Sequence, residues 1–197
     1  MLSQQAAEDK AAAARALSGY FKLARWARLI ENIELHIDRS YRATADAGLV
    51  TTEAFAAVGP AAGQFQEPEP LTASEYDFLL TPDHYELVSD IVLLEERAKN
   101  LHALFQTYTT LHLALQAWLD TLPGFERALD GPIATDNFPS EFKARFDHRA
   151  ANLNQILSGI IEHLDSDGTF SRQTVQAFAQ AARTRFAPYV PKLEYGP

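Results

Sequence analysis

The chain has 197 residues, and 47% of them are of the types AVILMFWYC, enough to bury a core and too many for general disorder. It has no cysteine, which excludes disulfide scaffolds, thiolate zinc sites and thiol nucleophiles. Seventeen Lys and Arg against 26 Asp and Glu give a net charge of −9, so no nucleic-acid partner is expected; the opening MLSQQAAEDK lacks the charged-then-apolar pattern of a signal peptide, and the expected location is the cytoplasm, with peripheral membrane contact a variant of it.

Residues 6–47 contain no proline and one internal glycine, Gly19, and read as a helix. Leu23, Trp26, Ile30, Ile33 and Ile37 recur at spacings of 3, 4, 3 and 4, the seam of a coiled coil. Leu17, Tyr20, Phe21 and Ala24 form a second apolar patch on another face, so this helix asks for cover on two sides. Residues 10–28 carry five basic residues and no acid. Gly48 is placed to stop the helix.

Residues 48–81 read as an acidic connector. Residues 43–96 hold eleven acids and no Lys or Arg. Thr51 or Thr52 is expected to cap a turn that runs to Val58 and ends at Gly59-Pro60. Residues 59–70 have loop composition, and Thr72-Ala73-Ser74-Glu75 fits a capping box that opens a short helix to Leu80. Thr81-Pro82 then starts a helix that lasts to Leu122. Its seam is His84, Leu87, Ile91, Leu94, Ala98, Leu101, Phe105, Tyr108, His112, Leu115, Leu119 and Leu122, at unbroken 3–4 spacing. The expected pairing is an antiparallel hairpin of the two long helices, residues 1–124, with the connector at its tip. Residues 125–137 read as a linker. Pro139 opens a helix with Phe142, Phe146, Leu153, Ile156, Ile160 and Leu164 inward, expected to end at Gly168. Ser171 is expected to cap a last helix through Phe186, before Pro188 and an extended tail. Residues 125–197 are thus a helical pair packed on the hairpin. The fold class is all-α, a helical hairpin with two C-terminal helices in a partial four-helix bundle.

Asn100 to Leu119 has no Asp, Glu, Lys or Arg, and is long enough to span a bilayer. Its Asn, His, Gln and Thr residues disfavour insertion, so no span is expected.

The chemistry-bearing patterns are few. A di-iron bundle needs Glu-x-x-His on inward faces. No histidine here has an acid three or four residues before it, and Glu31 and Glu34 lie off the face marked by Ile30, Ile33 and Ile37. HLDSDGTFSRQT, residues 163–174, resembles a calcium loop through Asp165, Asp167, Gly168 and Phe170. Its first position is His163 and its twelfth Thr174, so two principal ligands are missing, and a helix end at Gly168 followed by an N-cap at Ser171 is preferred. His84 and His112 occupy seam positions, where a packed histidine satisfied by one hydrogen bond is the common case; exposure is the alternative for His84, which lies close to the helix start. Phosphate-loop, dinucleotide, nucleophile-elbow and zinc-protease motifs do not occur. No catalytic, metal or cofactor residue is therefore assigned, and no cofactor is expected.

The expected function is that of a non-enzymatic scaffold or adaptor, self-associating or binding another protein. The candidate interaction face is Tyr20, Phe21, Lys22, Arg25, Trp26 and Arg28, where cations steer and aromatic residues anchor. A membrane-peripheral helper docking through residues 10–28 is the first alternative. A helical enzyme or small-ligand binder is the second.

Overall fold

The computed structural model describes residues 2–48, 53–61, 65–122, 140–193 and 195. Among them the protein is all-α, with helices α1 (Leu2–Asp46), α2 (Ala54–Ala57), α3 (Tyr85–Leu119) and α4 (Ser140–Arg185) and no strand. Three short 3-10 turns, Ala73–Glu75, Asp77–Leu79 and Pro82–His84, lie between α2 and α3. No helix among the described residues is long and apolar enough to cross a membrane.

The seams fold as their spacing dictates. Leu23, Trp26, Ile30, Ile33 and Ile37 of α1 are buried, as is every α3 seam residue from Ile91 to Leu119. Gly48 follows α1 in the left-handed conformation, φ 67°, and donates its N–H to Ala45 O. That conformation is nearly free for glycine and costly for a residue with a Cβ. Thr72 and Glu75 form the expected capping box, but it opens a 3-10 turn, and a second such turn replaces the expected helix to Leu80. The expected caps at Thr51 and Thr52 and the linker 125–137 lie outside the described residues.

The expected break at Gly168 is absent. α4 runs unbroken from Ser140 to Arg185, so there is one C-terminal helix in place of a helical pair. Asp167, Ser171 and Thr174 continue the buried stripe between Leu164 and Phe178 at helical spacing. Their polar atoms are satisfied locally. Ser171 donates to Gly168 O at 2.9 Å, Thr174 donates to Phe170 O at 3.0 Å, and Asp167 accepts from Arg97 at 3.0 Å. With those bonds made, the polar run DSDGTFS stays helical instead of capping two ends.

The chain forms two compact units, and α1, α3 and α4 each contribute to both. Unit 1 comprises residues 1–31, 66–100 and 165–197. In it α4 runs antiparallel to α1, with Arg185 3.7 Å from Asp9 and Phe178 against Gly19. The connector also runs antiparallel to α1, pairing Asp77 with Arg15, Glu75 with Ser18, and Glu69 with Trp26.

Unit 2 comprises residues 32–65 and 101–164. Here α3 and α4 are antiparallel, with Arg149 on Ala114 and Phe142 on Trp118. α1 and α3 run parallel, for His36 meets Phe105 and Tyr41 is felt electrostatically by Tyr108. The antiparallel partner of α3 is therefore α4, where the heptads alone suggested α1. The cause is the connector. It does not turn the chain at a tip but returns alongside α1, with Ala57 at Thr44 and Gly59 at His36.

Candidate interaction site

In unit 1 the connector segment 66–80 lies as a strap on the basic part of α1. Its grip is assembled from helix side chains that reach the strap's main chain. The Trp26 indole N–H donates to Glu69 O at 3.2 Å, Lys22 to Pro70 O at 3.3 Å and Arg15 to Ser74 O at 3.2 Å. From α3, the Glu95 carboxylate accepts the Leu71 N–H at 2.6 Å. Charge adds to these bonds. Lys22 lies 3.1 Å from Glu75 and 3.8 Å from Glu69, and Arg15 lies 3.4 Å from Asp77.

Glu75 is the centre of the contact. It is 6% exposed and accepts from Ser18 Oγ at 2.7 Å, Thr72 N at 2.7 Å, Thr72 Oγ1 at 3.1 Å and Lys22 Nζ at 3.2 Å. Burial by itself pushes its carboxyl pKa up. The Thr72 N–H, Ser18, Lys22 and the Thr72 hydroxyl together outweigh it and hold the pKa below the ordinary glutamate value. Gly19 lets the strap come this close, since a Cβ there would lie 3.0 Å from Glu75 Cβ and 3.1 Å from Glu75 O.

This arrangement divides the candidate interaction face. Trp26 is fully buried and Tyr20 is buried, so neither is available as an anchor in this state. Burial also raises the Tyr20 phenol pKa, against the nearby Arg28 charge. The Lys22 side chain is 18% exposed and engaged by the strap. Arg28 pairs with Glu31 at 3.7 Å and covers the Tyr195 ring. Phe21, at 57% exposure, Arg25 and Arg28 are exposed beside the strap. The basic stretch is thus largely neutralised within its own chain, contrary to the hairpin geometry, which would have kept the acids at a distance.

In unit 2 the connector is held the same way. His36 Nε2 lies 3.0 Å from Gly59 O, His102 Nε2 2.8 Å from Phe65 O and His112 Nε2 3.3 Å from Phe55 O. A carbonyl only accepts, so the His36 and His112 contacts place the proton on Nε2, whereas His102 Nε2 also lies 2.9 Å from the Gln106 side-chain amide nitrogen. The Tyr108 hydroxyl donates to Val58 O. Its phenol pKa is raised by burial and by Tyr41. His112 is packed as its seam position implies, whereas His84 is only half-buried in the turn before α3. Beside this cluster Ala61, Phe65, Phe105, Gln106, Thr109, Thr110 and Leu113 line an uncharged groove of about 280 Å3.

Sequence reasoning missed Arg15, Glu75, His36 and His102. The capping box marked Glu75 as ordered, but nothing in it shows that α1 would supply two further donors. Among the described residues no group of three or more His, Asp or Glu is placed to hold a metal ion. Comparison of the chain with protein-family models, with curated proteins and with solved structures gives no match.

Proposed function

We propose that the protein is a non-enzymatic helical scaffold or adaptor that acts through protein–protein contact and associates with copies of itself. The observation that carries this reading is the outer face of α3 in unit 2. Ala103, Thr107, Thr110, Ala114 and Ala117 lie there exposed, at spacings of 4, 3, 4 and 3. Leu104 and Leu113 flank them at 41% and 50% exposure. Between Lys99 and Asp120 the helix has no charged residue.

A solvated helix face is ordinarily studded with charge. α3 contributes none here, in a chain of net charge −9, and the charge that α4 brings to its edge, Arg149 on Ala114 O, is a cation. Two copies repel through acidic surfaces, and the repulsion is least where neither presents an acid. The 3–4 spacing is that of a helix–helix seam, and small side chains allow close approach of the axes. The basic stretch of α1 supports a docking role less, because the strap already occupies Lys22 and covers Trp26. That weakens the membrane-peripheral alternative equally.

The test is sedimentation equilibrium of the parent and of a Thr107→Glu/Leu113→Glu variant, each checked for unchanged helicity. The parent's mass is expected to rise with concentration and the variant's to stay at that of one chain. A parent that remains a single chain throughout, or a variant that associates as the parent does, removes the reading.

A further inference from the structure

The strap in unit 1 is bound as a peptide ligand is bound. From Gln66 to Ser74 not one of its residues is buried. It is held by bonds to its main chain at Glu69, Pro70, Leu71 and Ser74, made by side chains of α1 and α3. Main-chain bonds of this kind recognise an extended backbone and tolerate many sequences. Pro68 and Pro70 pre-set that extended form at low entropic cost. An indole N–H donating to a carbonyl of a proline-containing stretch is how aromatic grooves commonly read such segments. Here Lys99 Nζ stands 5.3 Å from the centroid of the same Trp26 ring, and Lys22 and Arg15 add positive charge along the groove. The complementary charges on the strap are Glu69, Glu75 and Asp77.

We infer that the face formed by Arg15, Ser18, Lys22 and Trp26 of α1 with Glu95 and Lys99 of α3 is a recognition site for an extended, acidic, proline-containing segment of a partner protein, and that residues 66–77 fill it in cis. This goes beyond self-association through α3, which uses a different surface and a different partner. The tethered strap competes at an effective concentration on the order of millimolar, so the site answers a partner only when the strap is weakened or the partner is abundant. The low apolar burial of residues 66–74 suits a segment that opens locally without global unfolding.

The probe is a labelled synthetic peptide of residues 66–78, QEPEPLTASEYDF, with a charge-neutral version, QQPQPLTASQYNF, as control. Fluorescence anisotropy compares the parent with a Glu69→Gln/Glu75→Gln/Asp77→Asn variant, in which the strap is weakened and the groove is untouched. The variant is expected to bind the acidic peptide about tenfold more tightly than the parent, and to lose that gain with the neutral peptide or on adding Lys22→Ala. Equal binding by parent and variant, or no preference for the acidic peptide, overturns the inference. Doubled mass of the variant without peptide uptake, at a concentration where the parent is a single chain, also overturns it, in favour of strap exchange between two copies. If the variant does not fold, the parent decides the matter by amide hydrogen exchange. Millimolar acidic peptide is expected to speed exchange at Leu71 and Thr72, and no change there refutes the site.

Discussion

Replacing Glu75 tests the strap at its centre. Glu75→Ala removes an acceptor that serves Ser18, Lys22, the Thr72 N–H and the Thr72 hydroxyl. Hydrogen bonds to a charged group contribute about 1.5–3 kcal/mol each, and removing one member of a buried ion pair costs about 3–5 kcal/mol. The bonds are not additive, because the donors retain other partners. Lys22 keeps Pro70 O and Glu69, and Thr72 is exposed and can turn to water. The expected loss is therefore about 2–4 kcal/mol for Glu75→Ala, and about 1–2 kcal/mol for Glu75→Gln, which keeps one acceptor oxygen. The pH dependence follows from the lowered pKa. In the folded protein Glu75 titrates below the ordinary glutamate value, so between the two the unfolded chain binds more protons. The ionised carboxylate's contribution is present in full above about pH 5 and is lost as pH falls through the folded pKa. Urea denaturation followed by circular dichroism is the assay. The gap between parent and Glu75→Gln should be largest near neutrality and narrow in acid. A gap that is the same at about pH 7 and about pH 3 would falsify the reading of Glu75 as a buried, ionised partner.

Three further expectations are open to the same assay. Leu101→Ala and Phe105→Ala, both of fully packed residues, should each cost about 2–5 kcal/mol, and Glu96→Ala within about 0.5 kcal/mol; Glu95, which accepts the Leu71 N–H, should cost about 1–2 kcal/mol, and equal effects for Glu95 and Glu96 would contradict that bond. Calcium should leave the melting temperature unchanged, because Asp165 and Asp167 lie within a continuous helix and Asp167 is engaged by Arg97; a rise abolished by Asp165→Ala would reverse this. Gly19→Ala should destabilise by about 1–2 kcal/mol despite alanine's better helix propensity, because its Cβ would crowd Glu75 O and the Phe178 ring; a gain in stability would show that the strap yields at no cost.

The burial pattern of α1 and α3 was legible because a 3–4 repeat leaves little freedom in which face turns inward. Leu23 through Ile37 and Ile91 through Leu119 are buried as their spacing demands. The direction of pairing was not legible, since a heptad seam serves a parallel neighbour as well as an antiparallel one. The information that decides it sits in the connector, whose residues make long-range bonds that no local pattern encodes. The continuity of α4 was obscured by composition. Asp165, Ser166, Asp167, Gly168 and Ser171 favour helix ends, yet Leu164, Asp167, Ser171, Thr174 and Phe178 keep the helical phase across the same stretch. Periodicity was the better guide there. For the candidate interaction face, the basic residues were read as free to meet a partner's acids, whereas Lys22 meets Glu69 and Glu75 of its own chain, and of the apolar patch that asked for cover Tyr20 is buried and Phe21 is exposed.

The connector also explains why polar side chains interrupt two otherwise apolar seams. A segment with only single helical turns leaves most of its carbonyls outside any ladder, and each carbonyl it turns toward the long helices needs a donor from elsewhere. In unit 2 the acceptors Phe55 O, Ala57 O, Val58 O, Gly59 O and Phe65 O meet His112, Thr44, Tyr108, His36 and His102. In unit 1 Glu69 O, Pro70 O and Ser74 O meet Trp26, Lys22 and Arg15. The buried residues among them, Trp26, His102, Tyr108 and His112, combine a body that packs with a polar tip. Leucine in place of His112 or Tyr108 would fill space but leave a buried carbonyl unpaired, at a cost of about 1–3 kcal/mol. His112 thus has a physical role that requires neither a metal nor a second titratable group. It holds a chain that runs beside the long helices and forms only single turns of its own.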